Sequence, residues 1–351
     1  MLTNFYGFGM GGGAAQLDMG TGGNLSCAYY PLNGVGAKTI EQAGYAWPTF
    51  ALGTSGSAGY RKVIVGFAWG LLVPTPSQAR FAELRAGDGS WLLALRINPD
   101  WTVSILRGSD QAVLGTTAAV LGNSTRVYVE LKANLNTTTQ GGDVELRFNG
   151  QSVLTLPGGL SIASQPATTL CLPWGNFFDH SFIDHIYALD WSTAPDTDFL
   201  GPCVVLDMPP VANGDENFWD PQPSQYTLVD DENVGGHDGD STCVSTSASG
   251  RPEEYRLATP WTYAVDRILG VAVYVAGKKD AGESLQGVSP TLKVGALPKM
   301  IPDHSLTFVF QSTGYQTFKS LWATYLDAGA QPAAFQPSDL ANLQGGYVSQ
   351  A

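Results

Sequence analysis

The residues best spaced for chemistry are carboxylates in alternation. Asp143 and Glu145, beside Arg147 in DVELRF, put two acids on one face of a strand. Glycoside hydrolysis needs two carboxylates roughly 5–10 Å apart across a sugar. No third acid joins them in the E-x-D-x-x-E strand pattern that hydrolases of sandwich architecture usually carry, and a solvated hairpin face explains the same residues. His180, His185, His237 and His304 lack the i,i+4 helical spacing of a zinc site, and His180 and His185, the closest pair, read as packed or hydrogen-bonded strand residues. The acidic run Asp230-Asp231-Glu232 with Asp238-Gly239-Asp240 offers oxygen ligands to a hard cation such as Ca²⁺ but falls short of the D-x-D-x-D-G loop, and Asx-turns or strand caps account for it equally. There is no GxxxxGK[ST], no GxGxxG leading into a helix, no GxSxG and no catalytic cysteine context; Gly9 to Gly13 follows no strand that would make it a phosphate cradle. The expectation is a protein that is not an enzyme, with no catalytic, cofactor-binding or metal residues.

The elements that must position these side chains are strands. With 42 Gly, 21 Pro and only 14% charged residues, the 351-residue chain favours short strands and tight turns over long helices, an all-β composition. Its length suits two domains, each able to bury its own core. Strands are expected at Arg61 to Trp69, Arg80 to Leu84, Trp91 to Ile97, Thr102 to Arg107, Val127 to Lys132, Val144 to Phe148 and Ser152 to Leu156. Turn signals separate them at Gly87-Asp88-Gly89, Asn98-Pro99-Asp100, Arg107 to Asp110 and Gly141-Gly142-Asp143, with an apolar, glycine-bearing loop after Arg107. Asn149-Gly150 between alternating runs is the strongest short hairpin signal, because a type I′ turn needs two positive φ angles. Val144, Leu146 and Phe148 alternate with polar neighbours, as do Val127, Val129 and Leu131 with Tyr128, Glu130 and Lys132, so this sheet should keep one wet face.

Further along, Ile183, His185, Tyr187 and Leu189 alternate with Asp184, Ile186, Ala188 and Asp190, and the polar, proline-punctuated segment Ser192 to Asp198 then ends the ladder. This gives a boundary between 1–195 and 196–351. Beyond it, strands are expected at Gly201 to Asp207, Tyr255 to Ala258, Ile268 to Ala276, Ser289 to Val294, Leu306 to Phe310 and near Tyr347, with Gly270 to Gly277 as a central strand and Asn213 to Ser241 as an ordered but irregular excursion.

The stretch Asp184, Tyr187, Asp190 and Phe199-Leu200-Gly201 resembles a family of tailed-bacteriophage virion proteins, in which a laminin-G-like (concanavalin-like) sandwich ends on D-x-x-Y-x-x-D, turns into F-L-G and leads to a second β domain. The turn Lys278 to Gly282 is similar to that family's K-x-D-A-G. The tail residues Trp322, Asp327, Gly329, Phe335, Asp339-Leu340, Leu343, Gly345-Gly346 and Val348 are similar to its closing pattern. The resemblance runs from about residue 60 to the end. It implies two jelly-roll-like β-sandwich domains in tandem and a structural role in the virion, in the tail, tail tip or another exterior appendage, with capsid decoration the alternative.

The implied partners are other virion proteins and copies of the chain itself. Host glycan is a further candidate, since laminin-G-like sandwiches often bind sugars through loop aromatics, here Trp91, Trp101 and Trp174; core packing explains the same tryptophans. The glycine-loosened, aromatic segment 1–60, with Phe5, Tyr6, Phe8, Tyr29, Tyr30, Tyr45 and Trp47, reads either as an arm docking on a neighbour or as packing on its own sandwich. Charge is uneven. Residues 1–195 hold 10 Lys+Arg against 12 Asp+Glu, and 196–351 hold 8 against 19, a net −2 and −11. An acidic surface repels phosphate backbones and anionic bilayers, so nucleic acid and membrane are not expected partners. No apolar run approaches the roughly 20 residues of a membrane span. MLTNFYGFG has neither the basic start nor the apolar core of a secretory signal, so synthesis in the host cytoplasm is expected. Cys27, Cys171, Cys203 and Cys243 have no CxxC spacing; free buried thiols and a Cys171–Cys203 pair both remain open.

Overall fold

A computed structural model describes residues 2–6, 24–29, 38–43, 49–52, 58–71, 79–121, 126–136, 141–172, 181–192, 197–205, 208–221, 224–229, 242–259, 267–282, 286–300, 308–310, 313–314, 316–322, 324–327 and 331–350. Backbone contacts divide the chain into two compact units, with the division after Leu206.

The first unit holds β1 (Leu2–Tyr6), β2 (Asn24–Tyr29), β3 (Lys38–Ala43), β4 (Thr49–Ala51), β5 (Lys62–Leu71), β6 (Ala79–Arg85), β7 (Trp91–Ile97), β8 (Thr102–Arg107), β9 (Val113–Val120), β10 (Arg126–Asn134), β11 (Gly142–Phe148), β12 (Gln151–Leu160), β13 (Thr169–Cys171) and β14 (Ser181–Asp190). They form two six-stranded sheets, in the orders β1-β14-β5-β10-β11-β12 and β4-β13-β6-β7-β8-β9, beside a β2–β3 hairpin. Alternation decides the core. Val63, Val65, Phe67 and Trp69 of β5 and Val129 and Leu131 of β10 meet Phe81, Leu93, Leu95 and Ile105 of the facing sheet, and the Trp69 and Phe81 rings lie 5.0 Å apart. Each large apolar side chain buried this way contributes about 1.5–3 kcal/mol. This is a β-sandwich.

The hairpin between β11 and β12 forms as its sequence requires, with Asn149 at φ 50° and Gly150 at φ 77°. The Asn149 side chain also accepts the Tyr128 amide at 2.8 Å. The turns at 87–89 and 98–100 close through Asx bonds, Asp88 accepting the Ser90 amide at 2.9 Å and Asp100 the Thr102 amide at 3.1 Å. Leu2–Tyr6 is an edge strand on β14, so that part of the N-terminal segment packs on its own sandwich.

Two expectations for this unit are corrected. The loop after Arg107 is a strand, β9; its glycine is there for packing, since a Cβ on Gly115 would lie 2.6 Å from the Leu156 side chain. The face carrying Tyr128 and Glu130 is buried rather than wet, for the reason given below.

The second unit contains β15 (Pro210–Asn217), β16 (Pro252–Leu257), β17 (Val271–Gly277), β18 (Gln286–Val294), β19 (Phe308–Phe310), β20 (Gln316–Trp322), β21 (Thr324–Leu326), β22 (Pro332–Ala334) and β23 (Leu343–Gln350). A five-stranded sheet, β15-β16-β23-β18-β19, packs against the β17–β20 pair to make a smaller sandwich, with Val271, Leu292, Leu340 and Leu343 in its core. The apolar run Val271–Gly277 is therefore not a central strand. Among the described residues it pairs with β20 alone, and Tyr274 on it is 41% exposed. Residues 213–217, at the start of the region expected to be irregular, belong to β15, whose polar sequence hides its pairing with β16. Residues 203–205, expected in a strand, form none.

Candidate functional site

The outer face of the first sheet carries a polar row across four strands. Tyr187 of β14 lies opposite Gly66 of β5, Gly66 opposite Glu130 of β10, and Glu130 opposite Arg147 of β11. Facing residues of neighbouring strands project to the same side about 5 Å apart, so the row converges. Gly66 is what lets it close: a Cβ there would sit 2.1 Å from the Tyr187 ring. The ring instead lies across the glycine, and its hydroxyl donates to Glu130 Oε1 at 2.6 Å.

Residues 197–205 run over this row and are fastened to it at successive points. Lys132 Nζ donates to the Thr197 carbonyl at 3.0 Å and pairs with Asp198 at 3.2 Å. The Arg147 guanidinium stacks 3.9 Å from the centre of the Phe199 ring. The Leu200 amide donates to the Tyr187 hydroxyl at 3.3 Å, and the Gly201 amide to Glu130 Oε1 at 2.9 Å. The Val205 amide donates to His185 Nδ1 at 3.2 Å. With their hydrogen bonds taken by side chains, residues 203–205 have no ladder to join, and the covered face loses its water.

Burial sets the electrostatics. It raises the Glu130 carboxyl above its usual range, and it raises the Tyr187 hydroxyl well above its own, so the tyrosine remains a donor. Glu130 Oε2 is buried without a hydrogen-bond partner. Burial also pushes the His185 imidazole down to about 4 and keeps it neutral, with Nδ1 as the acceptor. His185 stands at φ 52° within a bulge where the four residues from Asp184 to Tyr187 oppose the three of β5 from Ala68 to Gly66. Its carbonyl accepts the Tyr128 hydroxyl at 2.9 Å. This arrangement grips a backbone.

No protein-family model matches the chain, and no curated protein matches it in sequence. Among solved structures it is similar to a cellulose induced protein, Cip1, at 16% identity and a TM-score of 0.40, over 53% of this chain and 97% of that one. It is also similar to domain 4 of AbnA, an extracellular arabinanase of Geobacillus stearothermophilus, at 12% identity and a TM-score of 0.35, over 53% and 80%. A third is the carbohydrate esterase vb_24B_21 of the Shiga toxin-encoding bacteriophage phi24B, at 11% and 0.33, over 48% and 87%. Likeness at this level says nothing of what this chain binds or does.

Of the motif residues quoted for the resemblance, Tyr187, Phe199, Leu200 and Gly201 meet at this grip, Asp190 accepts the Ser192 amide at 2.9 Å to turn the chain, and Phe335, Leu340 and Leu343 pack in the core of the second unit. Asp143 and Glu145 are engaged elsewhere, Asp143 accepting the Asn134 amide group at 3.0 Å and Glu145 paired with Arg147 at 2.8 Å. Trp101 packs on the core at a turn with φ 66°, and Trp91 lies half-buried with the Arg80 guanidinium 4.8 Å over its ring. Cys171 and Cys203 form no disulfide; the Cys171 thiol is buried and pushed up to about 12 by that burial. Trp174, His180, His237, His304, Asp230 to Glu232, Asp238, Asp240 and Gly9 to Gly13 lie outside the described residues. The key residue that the sequence reading left on a wet face is Glu130, a carboxylate alternating with apolar neighbours in VYVELK.

Proposed function

We propose that this chain is a non-enzymatic structural component of a tailed-phage virion, in the tail, tail tip or another exterior appendage, with capsid decoration the next place. One observation carries the reading. Four of the residues in which the chain resembles that virion family, Tyr187, Phe199, Leu200 and Gly201, fasten residues 197–205 to the sandwich, around the buried Glu130–Tyr187 pair. A protein that works by holding its neighbours in place needs the segment leaving its sandwich to be held, and a motif devoted to that task suits assembly rather than turnover. Its partners are other virion proteins and copies of itself. Mass spectrometry of purified particles, paired with cryo-electron microscopy, tests this: fixed stoichiometry at a symmetric position is expected, and absence from particles overturns it.

A further inference from the structure

The two edges of β14 are covered unequally. Along one, β5 pairs with it from Ser181 to Asp190. Along the other, β1 supplies four facing positions, Leu2 to Leu189, Asn4 to Ala188, Phe5 to Tyr187 and Tyr6 to Ile186, with a bulge between Leu2 and Asn4. β1 is an end strand of its sheet, so among the described residues its ladder bonds all go to β14. Without β1, β14 would be a ten-residue edge with a row of unpaired N–H and C=O groups, a template for another strand. The connection from β1 to β2 is Gly7 to Gly23, 17 residues of which eight are glycine, the residue whose backbone is sterically least restricted.

A strand tied in this way can pass to a neighbour without loss of contacts. A connection of that length spans at most roughly 60 Å, against a diameter of roughly 40 Å for a unit of about 200 residues. A β1 offered by a second copy would meet the same β14, in the same register and with the same backbone bonds. Proximity alone favours the strand's own sandwich, and a connection of this kind gives an effective concentration on the order of millimolar. Copies packed side by side in a particle hold one another's segments at a comparable concentration, so exchange competes on even terms. The register also decides the occupant: the segment that β14 accepts is Leu2 to Tyr6, and a second copy of this chain carries it. The two readings of the N-terminal segment, an arm docking on a neighbour and packing on its own sandwich, thus share one edge.

We propose that β1 is an exchangeable strand: in assemblies of this chain, Leu2–Tyr6 of one copy completes the β14 edge of the next. The inference rests on the reading that copies of the chain pack together, and it names the surface through which they do so. Two full-length variants test it, each with the four native cysteines changed to serine, one carrying Asn4→Cys and the other Ala188→Cys, the small residue facing Asn4. Oxidised together, they are expected to give a disulfide-linked heterodimer whose yield rises at least tenfold between micromolar and millimolar chain, because exchange is bimolecular. A single chain carrying both substitutions should close on itself when dilute, which checks the register. Closure of that chain with no heterodimer at any concentration would overturn the exchange. Failure of both to link would overturn the β1–β14 pairing and the exchange with it. Should Ala188→Cys fail to fold, a chain deleted for residues 1–7 takes its place; its bare β14 is expected to capture intact chain in sedimentation velocity, and two species sedimenting independently would overturn the proposal. Heterodimers formed in solution by a chain absent from particles would support the exchange and reject the virion reading, whereas a chain present in particles without cross-links would reject the exchange alone.

Discussion

At the scale of single residues, the grip on 197–205 depends on three groups that cannot be exchanged freely. Removing the Tyr187 hydroxyl takes one of two donors from Glu130 Oε1 and the acceptor from the Leu200 amide, while Oε2 already lacks a partner. Tyr187→Phe should therefore cost about 1–3 kcal/mol in a denaturant titration. Gly66→Ala should cost a similar amount, about 1–3 kcal/mol, by pushing the same ring off its seat. His185 gives the protein a pH dependence. Its folded value of about 4 lies below the ordinary 6.5, so the unfolded chain binds the extra proton first as pH falls. Stability from the neutral ring is complete above pH 6.5 and declines by roughly 1.4 kcal/mol per unit towards pH 4, about 3 kcal/mol in all. Glu130 acts in the opposite sense, because its raised carboxyl contributes most below the ordinary carboxylate value and loses that contribution as pH rises through the folded one. His185→Asn separates the two. Asparagine tolerates positive φ and can still accept the Val205 amide, so the variant should fold while its melting temperature falls less than the wild type's between pH 6.5 and 4.

At the scale of elements, both units use a buried glutamate to hold an adjoining stretch. Glu253 on β16 accepts the Phe218 and Trp219 amides at 2.9 and 3.1 Å and the Asn217 side chain at 3.0 Å, as Glu130 on β10 accepts Gly201. A carboxylate taking backbone amides satisfies groups that would otherwise be buried without partners. The strap over β10 and β11 also depends on Phe199 beneath Arg147. Phe199→Ala should speed amide hydrogen exchange at Gly201 and Val205 while leaving the β5 and β10 amides protected, because the contact is peripheral to the core. Equal protection in the variant would show that the hydrogen bonds alone hold the strap. β9 has a comparable lesson, since a sequence with glycine and alanines forms a strand when a neighbour's leucines occupy the space a side chain would need.

For the whole molecule, charge is spread unevenly along the sequence, net −2 in 1–195 against −11 in 196–351. The acidic half repels polyanions, so a mobility-shift assay with duplex DNA should show no shift at moderate salt; a shift would overturn the expectation that nucleic acid is no partner.

Sequence by itself determined the all-β class, the strands between Lys62 and Phe148 other than β9, and the Asn149-Gly150 hairpin, because alternation and turn chemistry are local properties written in neighbouring residues. It also marked Tyr187 and Phe199-Leu200-Gly201 as a unit without saying what they do. Only the tertiary structure decided that Glu130 is buried, that 203–205 make no strand, and that Val271–Gly277 lies outside the larger sheet of its unit. Which face of a strand is wet depends on what the chain later lays across it. Glu130 and Gly201 are far apart in sequence, and only the register of β10, β5 and β14 brings the carboxylate, the glycine gap and the tyrosine under the same strap.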